Sequence, residues 1–535
     1  MPTVTATART TVVRSSDPTF RAAIQLGLFF AAIKLALHIA TNLWEAHIGY
    51  GYFRDELYYL ICGRHLAWGY VDHGPIVALQ ARLAETFFGH SLVGIRMLSA
   101  AAGAARVLLT GILAWSLGGR RPAQSLAMIG ILLAPQYLGI DSYLSMNSFE
   151  SIFWMGCLLS LIMILRGTNQ ARCWIFFGIC GGVGLLNKPS MTFFLLALLL
   201  GLLLTPQRKL LLSRWAAVGV ALLIIIALPN LIWQISNHWP TLEFLHNGRV
   251  HNKNVKLAPL PFLGKQILNL QPLTIFIWAA GLVWLLRNPQ AKIWRWIGYT
   301  YLIFLIVMMA LYAKDYYVVP IYPVLFAAGA IAWERRFASR RSVMANRILA
   351  FPIYEALLVV FGLIVLPMSI PVMQPDAWLK YTKATHLYNA SSNTENDSSG
   401  PLPQFYADRF GWQEEVDQVT QIYQSLSPDE RSKVGILGSN YGEASAINFL
   451  GRDLPFAVSG HNNYWLWGPH GYTGDLMIII NGATPDEMRK FYNSVEIAGR
   501  MNHPLSMPFE HRNIYLVRGR KKNLSLDWES LKFYF

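Results

Sequence analysis

Residues 22–44, AAIQLGLFFAAIKLALHIATNLW, form a long apolar run, and residues 50–76, YGYFRDELYYLICGRHLAWGYVDHGPI, set arginine, aspartate, glutamate, histidine and tyrosines directly behind it. A bilayer core about 30 Å thick is crossed by roughly 20 apolar residues in helical form, so the first stretch reads as a membrane helix. The second is then the loop at its far end. The acidic pair Asp55 and Glu56, set between basic and aromatic neighbours at a membrane face, is the feature that asks for a chemical reason.

Composition extends the reading from this helix to the whole chain. Of 535 residues, 54% are hydrophobic and only 14% charged, too apolar for an ordinary soluble protein. The fold class is a polytopic α-helical membrane protein with a C-terminal extracytoplasmic α/β domain. A net charge of +15 could signal nucleic acid, but the cations lie in short clusters between apolar stretches, where membrane topology explains them. Nucleic acid is therefore not an expected partner; membrane lipids are. The cysteines, Cys62, Cys157, Cys173 and Cys180, have neither metal-ligand spacing nor a disulfide framework. Arg9, Arg14 and Arg21 precede an apolar run that is too long for a signal peptide and lacks its small-residue exit, so a cytoplasmic N-terminus is expected.

Eleven apolar stretches are candidate spans: 22–44, 91–118, 123–140, 149–166, 173–186, 191–204, 215–233, 273–286, 296–312, 316–333 and 349–370. Basic residues fall on every second loop: Arg120 and Arg121, Arg166 and Arg172, Arg208 with Lys209 and Arg214, Arg287 with Lys292 and Arg295, then Arg335, Arg336, Arg340, Arg341 and Arg347. The positive-inside rule makes those loops cytoplasmic. The alternate loops, 45–90, 141–148, 187–190, 234–272 and 314–317, then share the opposite face and carry every polar cluster of chemical interest. A single site built from several loops is expected there. Interfacial anchoring explains the aromatic residues on that face but not Asp55, Glu56 and Asp72.

Residues 1–370 read as the membrane domain and 371–535 as the soluble one. NASSNTENDSSGP, 389–401, is a polar linker. KVGILGSN (433–440), PFAVSG (455–460), LMIIING (476–482) and NIYLVRG (513–519) predict strands, and YGEASAINFLG (441–451) and PDEMRKFYNSV (485–495) predict helices. Asn389 and Asn396 begin N-x-S sequons, relevant only in a glycosylating secretory pathway.

A carboxylate in a partly desolvated cleft can take a proton from a hydroxyl within hydrogen-bond reach. Asp55 and Glu56, on an amphipathic stretch along the membrane surface, suit that role, whereas two solvated loop carboxylates would be the plainer reading. Asp72 and His73 precede a Gly-Pro turn that exposes both; with Tyr58 and Tyr59 they suit substrate orientation, or simply a structural hydrogen bond. Lys188 in NKPS and Lys314 in AKDYY cap spans at the same face. They can snorkel or hold a lipid-linked phosphate, with Tyr316 and Tyr317 as phenolic donors. Lys34, His38, Arg96 and Arg106 lie within spans, where ionisable groups are costly; an interhelical bond is the plainer account. GHNNYWLWGPHGY, 460–472, suits either sugar stacking or a packed loop.

FRDELYYL, WGYVDHGPIVAL, SYLSMNSFESIFW, GLLNKPSM and AKDYYVVPIYPVLFAAGA, in that order, with YADRFGW, NYGEASAI and SGHNNYWLWGP in the tail, resemble the family 39-type and aminoarabinose-transferase-like membrane glycosyltransferases of GT-C architecture. The resemblance covers most of the chain and implies transfer of a sugar, hexosyl or pentosyl, from a polyprenyl-phosphate donor to an extracytoplasmic acceptor: a glycolipid such as lipid A, a polysaccharide or a protein. It implies a bacterial inner membrane location and an inverting displacement with Asp55 as base and Glu56 as its understudy. Arg54, Lys188, Lys314 and Tyr317 would hold the donor phosphate, and Tyr58, Tyr59, Asp72, His73 and Asn147 would orient substrate. Many relatives carry aspartate where this chain has Asn147, which weakens a two-carboxylate metal site. No metal ligand set and no cofactor is implied, although a divalent cation is compatible. A transporter or flippase of polyprenyl-linked sugars is the alternative, weakened by the lack of an internal repeat with matching broken helices; a scaffold protein acting through residues 371–535 is a third.

Overall fold

The structure, a computed structural model, describes residues 19–339, 344–387, 395, 396, 398 and 400–535, with the backbone alone at 338, 339 and 344–350. Arg9, Arg14, Arg340, Arg341 and Asn389, most of the linker and the side chain of Arg347 lie outside this description. Among the described residues, seven helices are long and apolar enough to cross a membrane, and three bent pairs bring the number to ten. Each pair breaks ahead of a proline: Arg121–Leu132 and Pro135–Asp141 by 63°, Ser190–Leu203 and Pro206–Leu212 by 116°, Pro259–Asn269 and Pro272–Arg287 by 102°. Proline lacks the amide proton that would continue the preceding ladder.

Ten of the eleven apolar stretches correspond to these spans. The eleventh, 173–186, forms the helix Gln170–Asn187, whose polar ends Gln170, Arg172 and Asn187 hold its apolarity below that of the others. It packs between Met146–Leu165 and Arg214–Ser236. Glycines on both sides of these contacts permit this: a Cβ at Gly178 would collide with the Gly219 carbonyl oxygen, and one at Gly156 of the helix Met146–Leu165 would collide with Cys180. Small residues let helices approach closely where apolar burial alone gives no preference for a neighbour.

The basic loops meet at one end of the bundle. Arg166 donates to the Trp115 and Ser116 carbonyl oxygens at 3.2 and 2.7 Å. The Arg120 amide donates to Glu334, and Arg335 donates to Gln290 at 2.8 Å. The loops rich in Tyr, Asp and Lys meet at the other end: Leu144 N–H reaches Glu56, Asn187 reaches the Met146 carbonyl oxygen, and Asn230 reaches the Trp68 carbonyl oxygen.

The soluble domain closes over that second end. Its five strands are β1 (Gly435–Gly438), β2 (Ala457–Val458), β3 (Leu476–Asn481), β4 (Tyr492–Arg500) and β5 (Asn513–Arg520). Their spatial order is β2-β1-β3-β5-β4, with β1 parallel to β2 and β3 and the remaining pairs antiparallel. The helix expected over 485–495 is corrected: only Pro485–Met488 is helical, and Tyr492–Arg500 is an edge strand. Asp486, Glu487, Arg489 and Lys490 favour helix locally, but pairing with β5 buries Tyr492 and overrides that preference.

The two parts share one apolar core, in which Leu57, Leu60 and Ile61 of the first loop pack in a cluster with Val416, Ile447, Ile478 and Leu516 of the soluble domain. Within the bundle, Pro272–Arg287 and Tyr322–Ser339 cross where Gly281 and Gly329 face one another's backbones: a Cβ at Gly329 would strike the Ile277 carbonyl oxygen, and one at Gly281 the Leu325 carbonyl oxygen. Gly329→Leu is therefore expected to destabilise the bundle by about 1–3 kcal/mol or more, as overpacking does, visible as a lowered unfolding temperature in detergent.

Candidate active site at the loop end of the bundle

The site begins with the helix Arg54–Arg64. Phe53 is extended (φ −73°, ψ 143°), and the Glu56 carboxylate accepts the Phe53 amide at 2.9 Å, which starts the helix there. This helix is not the exposed amphipathic stretch that was expected. Leu57 through Gly63 are buried, between the helices Pro75–Phe88 and Tyr441–Leu450, because the segment is apolar around its whole circumference. Asp55, in the first turn, keeps a side chain 30% exposed.

Glu56 is fully buried and fully used. Besides the Phe53 amide, its oxygens accept Arg96 Nε at 2.7 Å, an Arg96 terminal nitrogen at 2.8 Å and the Leu144 amide at 2.7 Å. A carboxylate with four donors and no exposure cannot meet a substrate hydroxyl, so the expectation of Glu56 as a second base is corrected to a structural role. Arg96 also pairs with Glu45 at 2.9 Å, and Glu45 takes Arg409 of the soluble domain. Lys34 and Arg106 likewise share Asp141, at 3.2 and 2.8 Å, an interhelical bond. His38 is buried beside them, and among the described residues neither ring nitrogen has a hydrogen-bond partner.

Around Asp55 lie most of the polar residues of the first loop. The Tyr441 hydroxyl donates to Asp55 Oδ1 at 2.8 Å. Arg54 points away, lying 3.8 Å from Asp408 and 3.9 Å from Glu510, with its Nε 3.9 Å from Asp55. Tyr58 donates to Asp72 Oδ1 at 3.0 Å and stacks on Tyr441 at 4.6 Å. Asp72 and His73 are not at an exposed tip: His73 is buried, because Gly74 packs against the Leu186 carbonyl oxygen where any Cβ would collide. Burial pushes the Asp72 carboxyl up, against His73 and the Tyr58 hydrogen bond, and pushes the His73 imidazole down. The neutral ring sits against Tyr70 at 4.5 Å with Tyr59 at its edge, and Nδ1 is 2.8 Å from the Gly74 carbonyl oxygen. A proton on Nδ1 makes that contact a hydrogen bond and leaves Nε2 a buried lone pair without a donor.

The second half of the site is cationic and phenolic. Lys188 donates to Asn147 Oδ1 at 2.7 Å and Glu150 at 3.0 Å, and its ammonium lies 4.3 Å from the Tyr317 ring centroid. The Lys188 ammonium bridges Asn147 and Glu150, so these two side chains already share a cation. Among the described residues, no group of three His, Cys, Asp or Glu could hold a metal ion. Lys314 pairs with Glu395 at 2.8 Å. Burial would raise the Glu395 carboxyl, but Lys314, Lys253 and Arg54 hold it well below the usual carboxylate range. The Tyr143 ring packs against Phe53 at 5.0 Å and Phe405 at 5.5 Å, and burial, with Asp55, pushes its phenol up to about 12.

The structure thus brings Arg54, Asp55, Tyr58, Tyr59, Asp72 and His73 into one cluster and Asn147, Lys188, Lys314 and Tyr317 into a neighbouring one. Sequence reasoning missed Tyr441, Asp408, Lys253 and Glu395. YADRFGW and NYGEASAI contain Asp408 and Tyr441 but show no local chemistry. Lys253 and Glu395 carried no signal. In the 460–472 stretch Asn463–Trp467 is a short helix; Asn463 accepts the Val71 amide at 2.7 Å, and the Tyr464 hydroxyl meets Ser445 and Asn448. The Asn396 amide is taken by the Asn252 and Asn254 carbonyl oxygens.

The model of the dolichyl-phosphate-mannose-protein mannosyltransferase family matches residues 72–233. No curated protein sequence matches the chain. Among solved structures, ArnT from Cupriavidus metallidurans bound to undecaprenyl phosphate superposes with a TM-score of 0.60 at 16% identity, over 93% of this chain and 98% of that one. Its apo state gives 0.58 at 15%, with the same shares. The Archaeoglobus fulgidus oligosaccharyltransferase tethered to an acceptor peptide gives 0.50 at 14%, over 81% of this chain and 64% of that one. The chain therefore shares the fold of ArnT over nearly its whole length.

Two outcomes follow from the buried charges. Glu56→Gln strips Arg96 of one of its two charge partners and is expected to destabilise the protein by roughly 3 kcal/mol, read as lost expression and a lower unfolding temperature. Burial, together with Asp55, Glu510 and Glu395 and against Arg54, pushes the Asp408 carboxyl up to about 7. The unfolded chain ionises it near about 3.9, so between those values the native state binds more protons and stability falls as pH rises. Wild type should lose unfolding temperature from pH 5 to pH 8, and Asp408→Asn should reduce that loss.

Proposed function

We propose that this protein is an integral-membrane glycosyltransferase that moves a hexosyl or pentosyl group from a polyprenyl-phosphate donor to an extracytoplasmic glycolipid, polysaccharide or protein acceptor. Residues 1–370 form the transferase domain and 371–535 the extracytoplasmic domain, in a bacterial inner membrane with the N-terminus cytoplasmic and the soluble domain periplasmic. The observation that carries this reading is the partly exposed Asp55 carboxylate standing beside a cation and phenol cluster at the same end of an ArnT-like bundle.

The chemistry needs one base. A sugar that leaves polyprenyl phosphate departs from an oxygen whose charge phosphate already tolerates, so no general acid is required at the leaving group. Asp55 takes the proton of the acceptor hydroxyl as its oxygen bonds to the anomeric carbon. The bond from that carbon to the phosphate oxygen breaks, and the electron pair leaves with the phosphate, inverting the anomeric centre. Lys188, Lys314 and Tyr317 stabilise the charge developing there, as preorganised donors do in a site shielded from water. Arg54, tied to Asp408 and Glu510, shapes the field from behind Asp55. Tyr58, Tyr59, Asp72, His73 and Asn147 line and orient.

The direct test is release of polyprenyl phosphate from a panel of polyprenyl-phosphate sugars by purified protein in lipid, with a membrane extract as acceptor source. Asp55→Asn is expected to lower transfer by about 10²- to 10⁴-fold, the usual share of a general base. Movement of intact donor between leaflets without release, unchanged in Asp55→Asn, would replace the transferase with a flippase. Because Glu395 occupies Lys314, Glu395→Gln is expected to lower KM for the donor severalfold, measured in the same assay.

A further inference from the structure

Tyr441 lies 386 residues beyond Asp55 in the chain, yet its hydroxyl is 2.8 Å from Asp55 Oδ1. Among the described residues no hydrogen bond falls on Oδ2, and Arg54 Nε, the nearest cation, is at 3.9 Å from Oδ1. We infer that Tyr441, supplied by the soluble domain, is a positioning residue: it pins Asp55 Oδ1 and so turns Oδ2 toward the acceptor hydroxyl. The inference rests on the reading of Asp55 as the base.

Everything that touches Tyr441 restricts it. It is the first residue of the helix Tyr441–Leu450, whose start is fixed by Asn440 accepting the Gly442 and Glu443 amides at 2.7 and 3.1 Å while Glu443 accepts the Asn440 amide at 3.2 Å. Its own amide points at His461 Nδ1 at 3.4 Å. Burial lowers the His461 imidazole to about 3, so the ring is neutral. With its proton on Nε2 against the Phe535 carbonyl oxygen at 2.8 Å, Nδ1 is left as the acceptor. The phenol ring stacks on Tyr58 on one side and meets the Arg54 guanidinium, 5.6 Å from its centroid. Gly442 makes room for that arginine, since a Cβ there would come within 2.7 Å of Arg54 Cγ. Burial, with Asp55 and Asp72 and against Arg54, keeps the Tyr441 phenol protonated, so it acts as a donor and not as a second base.

An oriented carboxylate matters because a rotating one offers its proton-accepting lone pair in the attack geometry only part of the time, and misplacement by about 1 Å can cost on the order of 10²-fold in rate. The soluble domain is then part of the active site itself, since residues 1–370 contain the base but not the hydroxyl that aims it.

Tyr441→Phe removes the hydroxyl and keeps the ring. The test has two readouts on the full-length protein in lipid. In the transfer assay, kcat should fall about tenfold with KM for the donor unchanged, a split that loosened packing would not give. The second readout does not need activity: carbodiimide coupling of an amine to Asp55, followed by peptide mass spectrometry, should proceed severalfold faster in Tyr441→Phe, because Oδ1 has lost its donor. Tyr441→Leu, which removes the ring as well, should show the same acceleration. Unchanged labelling of Asp55 in both variants would overturn the inference, whatever the activity. Accelerated labelling together with a wild type that transfers no sugar would uphold the contact and instead remove the transferase reading.

Discussion

The site depends on one buried guanidinium. Arg96, in the helix Leu92–Ser116, is inaccessible to solvent and holds Glu56 with two hydrogen bonds while pairing with Glu45 of the first membrane helix. Glu45 in turn takes Arg409, which belongs to the soluble domain. Two arginines and two glutamates therefore tie together two membrane helices, the first loop and the soluble domain. Taking charges out of water costs several kcal/mol per ion, and only good geometry offsets it. The gain is placement: Glu56 also accepts the Phe53 amide and so fixes where the helix Arg54–Arg64 begins, which sets the height and direction of Asp55.

A second constraint is the core shared between the two parts. Leu57, Leu60 and Ile61 pack in one cluster with Val416, Ile447 and Leu516, so the first loop is covered on the face that would otherwise meet water or headgroups. An apolar helix at a membrane face can lie in the interface or be buried by protein. Here the helix Tyr441–Leu450 covers it, and the same contact brings Tyr441 to Asp55. Burial and assembly of the site are one event, and this links the domains more tightly than a flexible linker would suggest.

The cations are also arranged by neutralisation. Lys188 is held by Asn147 and Glu150, Lys314 by Glu395, and Arg54 by Asp408 and Glu510. Lys188, Lys314 and Arg54 thus each stand against a carboxylate. Glu395 comes from the stretch between the two domains and bridges to Asn254 of the long 234–272 loop. The charge balance at the site therefore depends on segments remote in sequence.

The helical membrane class, nearly every span and the gathering of polar loops at one end were legible in the chain. Apolar length, charge alternation and short motifs are local properties, and local properties survive reading in one dimension. The residues that complete the site were not legible. Glu56 resembles Asp55 in sequence, and only its four donors and loss of solvent make it structural. Asp72 and His73 look exposed beside a Gly-Pro turn until Gly74 packs under the Leu186 carbonyl oxygen. The run 485–495 has helical preference, and β5 turns its second half into a strand. Tyr441, Asp408 and Glu395 gain their roles from contacts across hundreds of residues. What the sequence by itself determined was the membrane class and the end of the bundle where the polar loops gather, because hydrophobicity and charge act residue by residue. Only the tertiary structure decided which carboxylate is open, which is bound and what aims it, because hydrogen-bond geometry and desolvation belong to pairs of groups that folding alone brings together.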